Sequence, residues 1–129
     1  VGTPSYTPDL AAWMVALERA GARGVVHVAN AGEVSRWDQA GAILAAIGSD
    51  ARREPTSWQA LGKSSPRPRR SVLSTAKMEA YVAGLDSAEQ QVVDRHGLAL
   101  DFRCADGAAR GWQAAQADYL RRMAEEGRR

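Results

Sequence analysis

Pro66-Arg67-Pro68-Arg69-Arg70-Ser71-Val72-Leu73-Ser74-Thr75-Ala76-Lys77 joins an aperiodic middle to a helical pattern, and the kind of fold turns on it. Four cations, two ring-locked backbones and several hydroxyls share this short connector. Arginine offers a planar fork of donors that matches phosphate at two points, and proline fixes φ before any ligand arrives, so the chemistry suits an anion. Ser74 or Thr75 is placed to cap a helix with Met78, Tyr81, Val82 and Leu85 on one face and Gly84 near its end. Ser71 and Lys77 then stand at a helix entrance, where unpaired N–H groups and the positive dipole end favour the same ligand. The plainer alternative is a solvated basic loop.

The charge distribution points the same way. Between Arg52 and Lys77 seven cations (Arg52, Arg53, Lys63, Arg67, Arg69, Arg70, Lys77) face Glu54 alone, although the whole chain carries only +2. Such a patch attracts phosphate whatever its carrier. Nucleic acid is not the expected partner, because only Trp58 lies nearby for stacking and no amphipathic basic helix is present to enter a groove.

With 129 residues, 45% apolar and 25% charged, residues 1–129 read as a single domain around one core. No apolar run is long enough to cross a bilayer and no signal-type segment is present, so the expectation is a cytoplasmic protein without membrane contact. A single cysteine, Cys104, excludes an internal disulfide, and neither His27 nor His96 is spaced to join it in a metal site.

Upstream of the connector the pattern is helix, strand, helix. Thr7 is placed to cap a first helix with Pro8 at its first position, and Leu10, Trp13, Met14 and Leu17 form its inward stripe up to Gly21 and Gly24. Val25 to Val28 reads as a buried strand of a parallel sheet, with His27 a hydrogen-bonded core or interface residue within it. Ser35 with Asp38 starts a second helix whose Trp37, Ala40, Ile43, Leu44 and Ile47 face inward until Gly48. Asp9, Ser35 and Asp38 are all explained by hydrogen bonding at helix ends.

Residues 52–73 carry Pro55, Gly62, Pro66 and Pro68 and read as an extended segment or short strand followed by an ordered loop. Beyond the third helix, Asp86 to His96 reads as a capped helix closed by Gly97, Leu98 to Phe102 as a short strand and Cys104 to Gly107 as a turn. A last helix carries Trp112, Ala115, Tyr119, Leu120 and Met123 on one side and frays over residues 125–129. Trp13, Trp37 and Trp112 all fall on apolar stripes and are expected in the core.

Three blocks resemble the carboxy-terminal part of the dTDP-4-dehydrorhamnose reductase family, in the family's order. Gly2-Thr3-Pro4-Ser5-Tyr6-Thr7-Pro8-Asp9-Leu10-Ala11 is similar to its Pro-Thr-Tyr-x-x-Asp-Leu-Ala helix start. Gly24 to Asn30, with Gly32-Glu33-Val34-Ser35 and Trp37 behind it, is similar to its Gly-x-Tyr-His strand and turn. Arg67-Pro68-x-x-Ser71-x-Leu73-x-x-x-Lys77 is similar to its Arg-Pro-x-x-Ser-x-Leu-x-x-x-Lys signature, with Ser74 where the family has aspartate and Arg70 where it commonly has asparagine. Trp112 to Leu120 resembles the family's ending, whereas residues 86–106 are an insertion relative to it.

The resemblance implies an α/β fold, specifically the small helix-rich substrate-binding domain of an extended short-chain dehydrogenase with one to three short strands. It implies a dTDP-sugar as ligand, with Arg67 contacting the diphosphate or nucleotide, Ser71 as a supporting donor and Pro68 holding the loop. In the whole enzyme, a reduced nicotinamide cofactor, NADPH or NADH, would deliver hydride to the 4-keto carbon of a dTDP-6-deoxy-hexulose, with a tyrosine as proton donor. This chain supplies neither part: it contains no Gly-x-x-Gly-x-x-Gly loop, and Tyr6, Tyr81 and Tyr119 are followed four residues later by Leu10, Leu85 and Met123 rather than lysine. No catalytic residue is therefore assigned, and the expected partners are a Rossmann domain, on the same or a separate chain, and in addition a second copy in a homodimer. The alternative is a non-catalytic regulatory or interaction module on the same fold.

Overall fold

The computed structural model describes residues 1–62, 68–86, 88–89, 91–92 and 108–127. Four helices form: α1 (Thr7–Arg19), α2 (Arg36–Ala46), α3 (Ala76–Ala83) and α4 (Trp112–Glu126). They pack in two pairs, α1 on α3 and α2 on α4.

In α1 the buried stripe is Asp9, Ala12, Trp13, Ala16 and Leu17, one helical position off the expected one, and Met14 is exposed. Two alanines in that stripe let α3 approach closely. Its start also differs from expectation: Tyr6 is the N-cap, Thr7 and Pro8 lie inside the first turn, and no side chain caps the helix. The chain is instead held by Asn30, whose Oδ1 accepts the Tyr6 N–H at 2.7 Å. At the far end Ala22 N–H bonds to Leu17 O and Gly21 N–H to Glu18 O, a Schellman closure that needs the left-handed φ of +63° at Gly21.

The core lies between α1 and α3. Ala12, Trp13, Ala16 and Leu17 meet Met78 and Val82, with Val92 and Ala109 closing the cluster and Tyr81 and Leu85 packed at its edge. The third helix thus presents the face expected of it. Thr75 serves as its N-cap residue, and its hydroxyl donates to Glu79 Oε1 at 2.9 Å rather than capping backbone.

Val26 and Val28 pack against this core while Val25 and His27 face outward. That alternation belongs to extended chain, yet the expected strand does not form. A strand requires a neighbour offering donors and acceptors along its length, and the described residues supply only isolated bridges: Gly2 with Val34, Gly2 with Ser71 and Ala31 with Gly111. Among the described residues the architecture is therefore helical, with no strand, and His27 is exposed rather than in the core.

The second helix starts as expected, Ser35 Oγ accepting the Asp38 N–H at 3.0 Å. Its inward face is another matter, because no residue of α2 is buried and Trp37 is 40% exposed. Arg53 covers Trp37, its guanidinium 4.3 Å from the ring centroid and donating to the Trp37 carbonyl at 2.7 Å. Periodicity identifies an apolar face without saying what will cover it.

In α4, Trp112, Ala115 and Asp118 are buried, while Tyr119 and Met123 from the same expected stripe are about half exposed. The helix continues through Glu126. Residues 51–57 have no regular structure and 58–62 form a turn. Asp86 and Glu89 exchange reciprocal backbone bonds as a capping box, Asp86 N–H to Glu89 Oε2 at 3.0 Å and Glu89 N–H to Asp86 Oδ1 at 2.8 Å. Most of the helix expected through His96, the strand at Leu98 to Phe102 and the turn at Cys104 to Gly107 lie outside the described residues.

Candidate functional site: a three-way seam and an adjoining cleft

The three sequence blocks meet at Gly2. Its N–H donates to Val34 O at 3.1 Å and its carbonyl accepts the Val34 N–H at 3.0 Å. On its other side it bridges Ser71, whose N–H donates to Val1 O at 2.9 Å. The remaining edge of the triangle is an ion pair, with Arg70 Nη2 2.6 Å and Nε 3.0 Å from Glu33 Oε2. Ser71 is exposed, and its hydroxyl lies against Gly2, where an added Cβ would meet it at 3.3 Å. Of the two candidate ligand contacts, Ser71 thus sits on the seam; Arg67 lies outside the described residues.

Much of the basic patch is occupied internally. Arg52 pairs with Glu54 at 3.1 Å, Arg53 stacks on Trp37 and Arg70 holds Glu33. Lys77 Nζ donates to Val25 O at 2.8 Å and to Arg23 O at 3.4 Å, so its ammonium ties the chain leaving α1 to α3. The sequence shows the cations; the carbonyls and carboxylates that engage them are brought in by the fold.

Behind the seam lies a buried polar cluster that sequence reading missed. Asp9, only 4% exposed, receives a two-point contact from Arg110, Nε to Oδ2 at 2.7 Å and Nη2 to Oδ1 at 2.8 Å. Arg110 also reaches Asp118 Oδ2 at 3.3 Å, and Arg121 and Arg122 pair with Asp118 from the outer side. Asn30 Nδ2 donates to Asp9 at 2.5 Å and to Arg110 O at 3.3 Å. Burial works against the Arg110 charge, but the hydrogen bond and attraction of Asp9, then those of Asp118, hold its pKa above the ordinary value. Asp9 is therefore the anchor of a clamp between α1 and α4, and the helix-end hydrogen bonding expected of it is replaced by these contacts, since no side chain caps α1.

In front of that cluster a cleft of about 540 Å³ opens between the start of α1, α2 and α4. Pro4 to Pro8 form one wall, Ile43 and Gln39 a second, and Trp112, Gln116, Tyr119 and Met123 a third, with Arg122 and Glu126 also lining it. Tyr6 and Tyr119 meet edge to face, centroids 6.3 Å apart, and the Arg110 guanidinium lies 5.5 Å from the Tyr6 ring centroid. Burial raises the Tyr6 pKa above that of free tyrosine, leaving a neutral phenol on the cleft wall. Gln116 Oε1 is buried without a hydrogen-bond partner among the described residues. Gly32 backs the site: its φ is +90°, and a Cβ there would press on Trp112 Cδ1 at 3.1 Å.

The described residues do not fit a dinucleotide cofactor, since neither seam nor cleft has a glycine-rich turn between a strand and a helix to cradle a pyrophosphate. Among them no group of three His, Cys, Asp or Glu side chains is placed to hold a metal ion, and no helix is long and apolar enough to cross a membrane.

These features define a small, helix-rich domain with a lined cleft beside a seam of motif residues. The chain belongs to the RmlD substrate binding domain family, which it matches over residues 1–95. It is 39% identical over 79 residues to the dTDP-4-dehydrorhamnose reductase of Mycolicibacterium smegmatis, covering 60% of this chain and 24% of that protein. Against the dTDP-4-dehydrorhamnose reductase of Mycobacterium tuberculosis the figures are 43% over 76 residues, 57% and 25%. The dTDP-4-keto-6-deoxy-D-glucose reductase of Streptomyces niveus is 40% identical over 73 residues, with 56% of this chain and 25% of that protein covered. The chain thus spans about a quarter of the length of the curated relatives it matches. No solved structure matches it.

Proposed function

We propose that residues 1–129 form one domain, the dTDP-sugar-binding part of a dTDP-4-dehydrorhamnose reductase-like oxidoreductase of the extended short-chain type. In this reading the domain grips the nucleotide diphosphate, and hydride from NADPH or NADH belongs to a Rossmann domain, on the same or a separate chain, in the cytoplasm. The domain is not catalytic alone. The observation that carries the reading is the convergence of Gly2, Glu33, Val34, Arg70 and Ser71 on one seam, since the three blocks that resemble the family are the three the fold joins. Ser71 and Arg67 are the proposed diphosphate donors, and Arg70 orders the loop by holding Glu33.

Calorimetric titration with dTDP tests this. Saturable binding should weaken roughly ten- to a hundredfold in Arg67→Ala, as expected for a lost charge-assisted contact, and only a few-fold in Ser71→Ala. Indifferent binding of any polyanion, falling steeply with salt, would instead make the connector a plain basic patch.

A further inference from the structure

We infer that Arg53 is a positioning residue for ligand capture, a latch that fastens the chain leaving α2 back onto that helix through Trp37, with Gly41 as the notch that admits it. The consequence for binding rests on the reading of the chain as a sugar-nucleotide-binding domain; the latch itself does not.

The second helix ends in a Schellman closure, Ser49 N–H to Leu44 O at 2.9 Å around the left-handed Gly48 at φ +64°, which turns the chain back. Trp37 and Ile47 are separated by roughly 15 Å of helix axis, and the five residues after Gly48 reach at most roughly 18 Å. Residues 49–53 therefore run back along α2, because Arg53 touches its first turn. There the guanidinium lies 4.3 Å from the Trp37 ring centroid and donates to the Trp37 carbonyl at 2.7 Å. One turn on, at Gly41, a Cβ would stand 2.9 Å from the Arg53 Cζ and 3.1 Å from Nη2, so any larger residue would push the guanidinium off the helix. Glycine inside a helix costs stability relative to alanine. Here that cost has a use, since three contacts converge on one side chain.

The same stretch of chain receives a second arginine. Arg70 holds Glu33 with Nη2 at 2.6 Å and Nε at 3.0 Å, so residues 54–69 leave from and return to the nine residues between Glu33 and Gly41. Pinning both ends of a segment removes conformations that binding would otherwise have to freeze out, which raises affinity without adding a contact to the ligand. Ser71 follows directly on the second pin. Arg53 thus acts on the ligand through the chain it holds.

The test combines side-chain NMR of Arg53 with calorimetric titration of dTDP into the 129-residue chain. In wild type the Arg53 δ-methylene should resonate upfield, shifted by the Trp37 ring. Arg53→Ala should weaken dTDP about threefold to tenfold, as for one further rotamer-rich group left to be ordered. Arg53→Lys, which keeps the charge but not the flat fork, should not restore it. Gly41→Ala is the decisive variant because it alters no charge and no ligand contact. It should abolish the ring-current shift and weaken dTDP as much as Arg53→Ala does, while the urea midpoint holds or rises. A merely structural notch would move stability and leave affinity alone. Retention of the shift in Gly41→Ala, or loss of the shift with dTDP affinity unchanged, would overturn the latch's role and leave the domain's proposed function standing. Failure of wild type to bind dTDP would overturn both.

Discussion

The α1–α3 half and the α2–α4 half start from similar apolar patterns and end in opposite states. In the first, Trp13, Met78 and Val82 are fully buried against one another. In the second, α2 buries no residue, and Trp37, Ile47, Tyr119 and Met123 are 40–57% exposed. Small residues account for the first outcome, because Ala12 and Ala16 bring α3 close enough to exclude water. A polar cluster accounts for the second: Asp9, Arg110 and Asp118 occupy the ground between α1 and α4, and the aromatic residues in front of them line a cleft instead of a core. One half supplies rigidity and the other keeps a space open, which is how a binding domain holds its walls in place before a ligand arrives.

The largest effect should come from the clamp that joins the halves. Arg110→Ala leaves the buried Asp9 carboxylate with the Asn30 amide but no cation, while Asp118 keeps Arg121 and Arg122, and losing one member of a buried pair costs about 3–5 kcal/mol. Urea denaturation should show it, and replacing Asp9 by an apolar residue in the same background should restore much of the loss. A cost below about 1 kcal/mol for Arg110→Ala would mean that the halves are joined by something else.

Next in size is the contrast between two apolar truncations. Met78→Ala should cost about 3 kcal/mol, as expected for a fully buried side chain leaving a cavity. Ile43→Ala, on the cleft side of α2, should cost about 1 kcal/mol or less because its environment is already open. Equal midpoints for the two variants would erase the distinction between a closed and an open half.

Local chemistry was legible in the sequence. The Ser35 cap, the glycine stop at Gly21 and the inward face of Met78 and Val82 follow from rules that act within one or two turns. The likeness of three blocks to one family was legible as well, and the fold makes it concrete by joining them at Gly2. Long-range pairings were not: Arg110 finds Asp9 across 101 positions, and no periodicity announces such a partner. The same limit explains Lys77, whose ammonium looked free in a run of cations and in fact holds the Val25 carbonyl. The cleft was equally invisible, because Tyr119 and Met123 follow the same spacing that buries Trp112. An acidic residue set beside the apolar stripe, Asp118 next to Tyr119, is visible in the sequence, but that it is buried on this face of α4 is shown only by the fold.

The smallest expected effect concerns Tyr6 on the cleft wall. Burial raises its pKa first and most, Arg122 and Arg110 oppose, and Asp118 and Asp9 reinforce the rise. A phenol whose pKa is higher in the folded than in the unfolded chain binds its proton more tightly when folded. That contribution is fully present below about pH 10 and is lost as pH climbs through the folded value. Wild type should therefore lose stability relative to Tyr6→Phe as pH rises above about 10 through the raised folded value, as read from urea midpoints of both proteins at each pH. A constant gap between the two across that range would place the phenol in water. The wall opposite Tyr119 would then be wetter than the closed face it shares with Arg110, and the open half would extend into the first turn of α1.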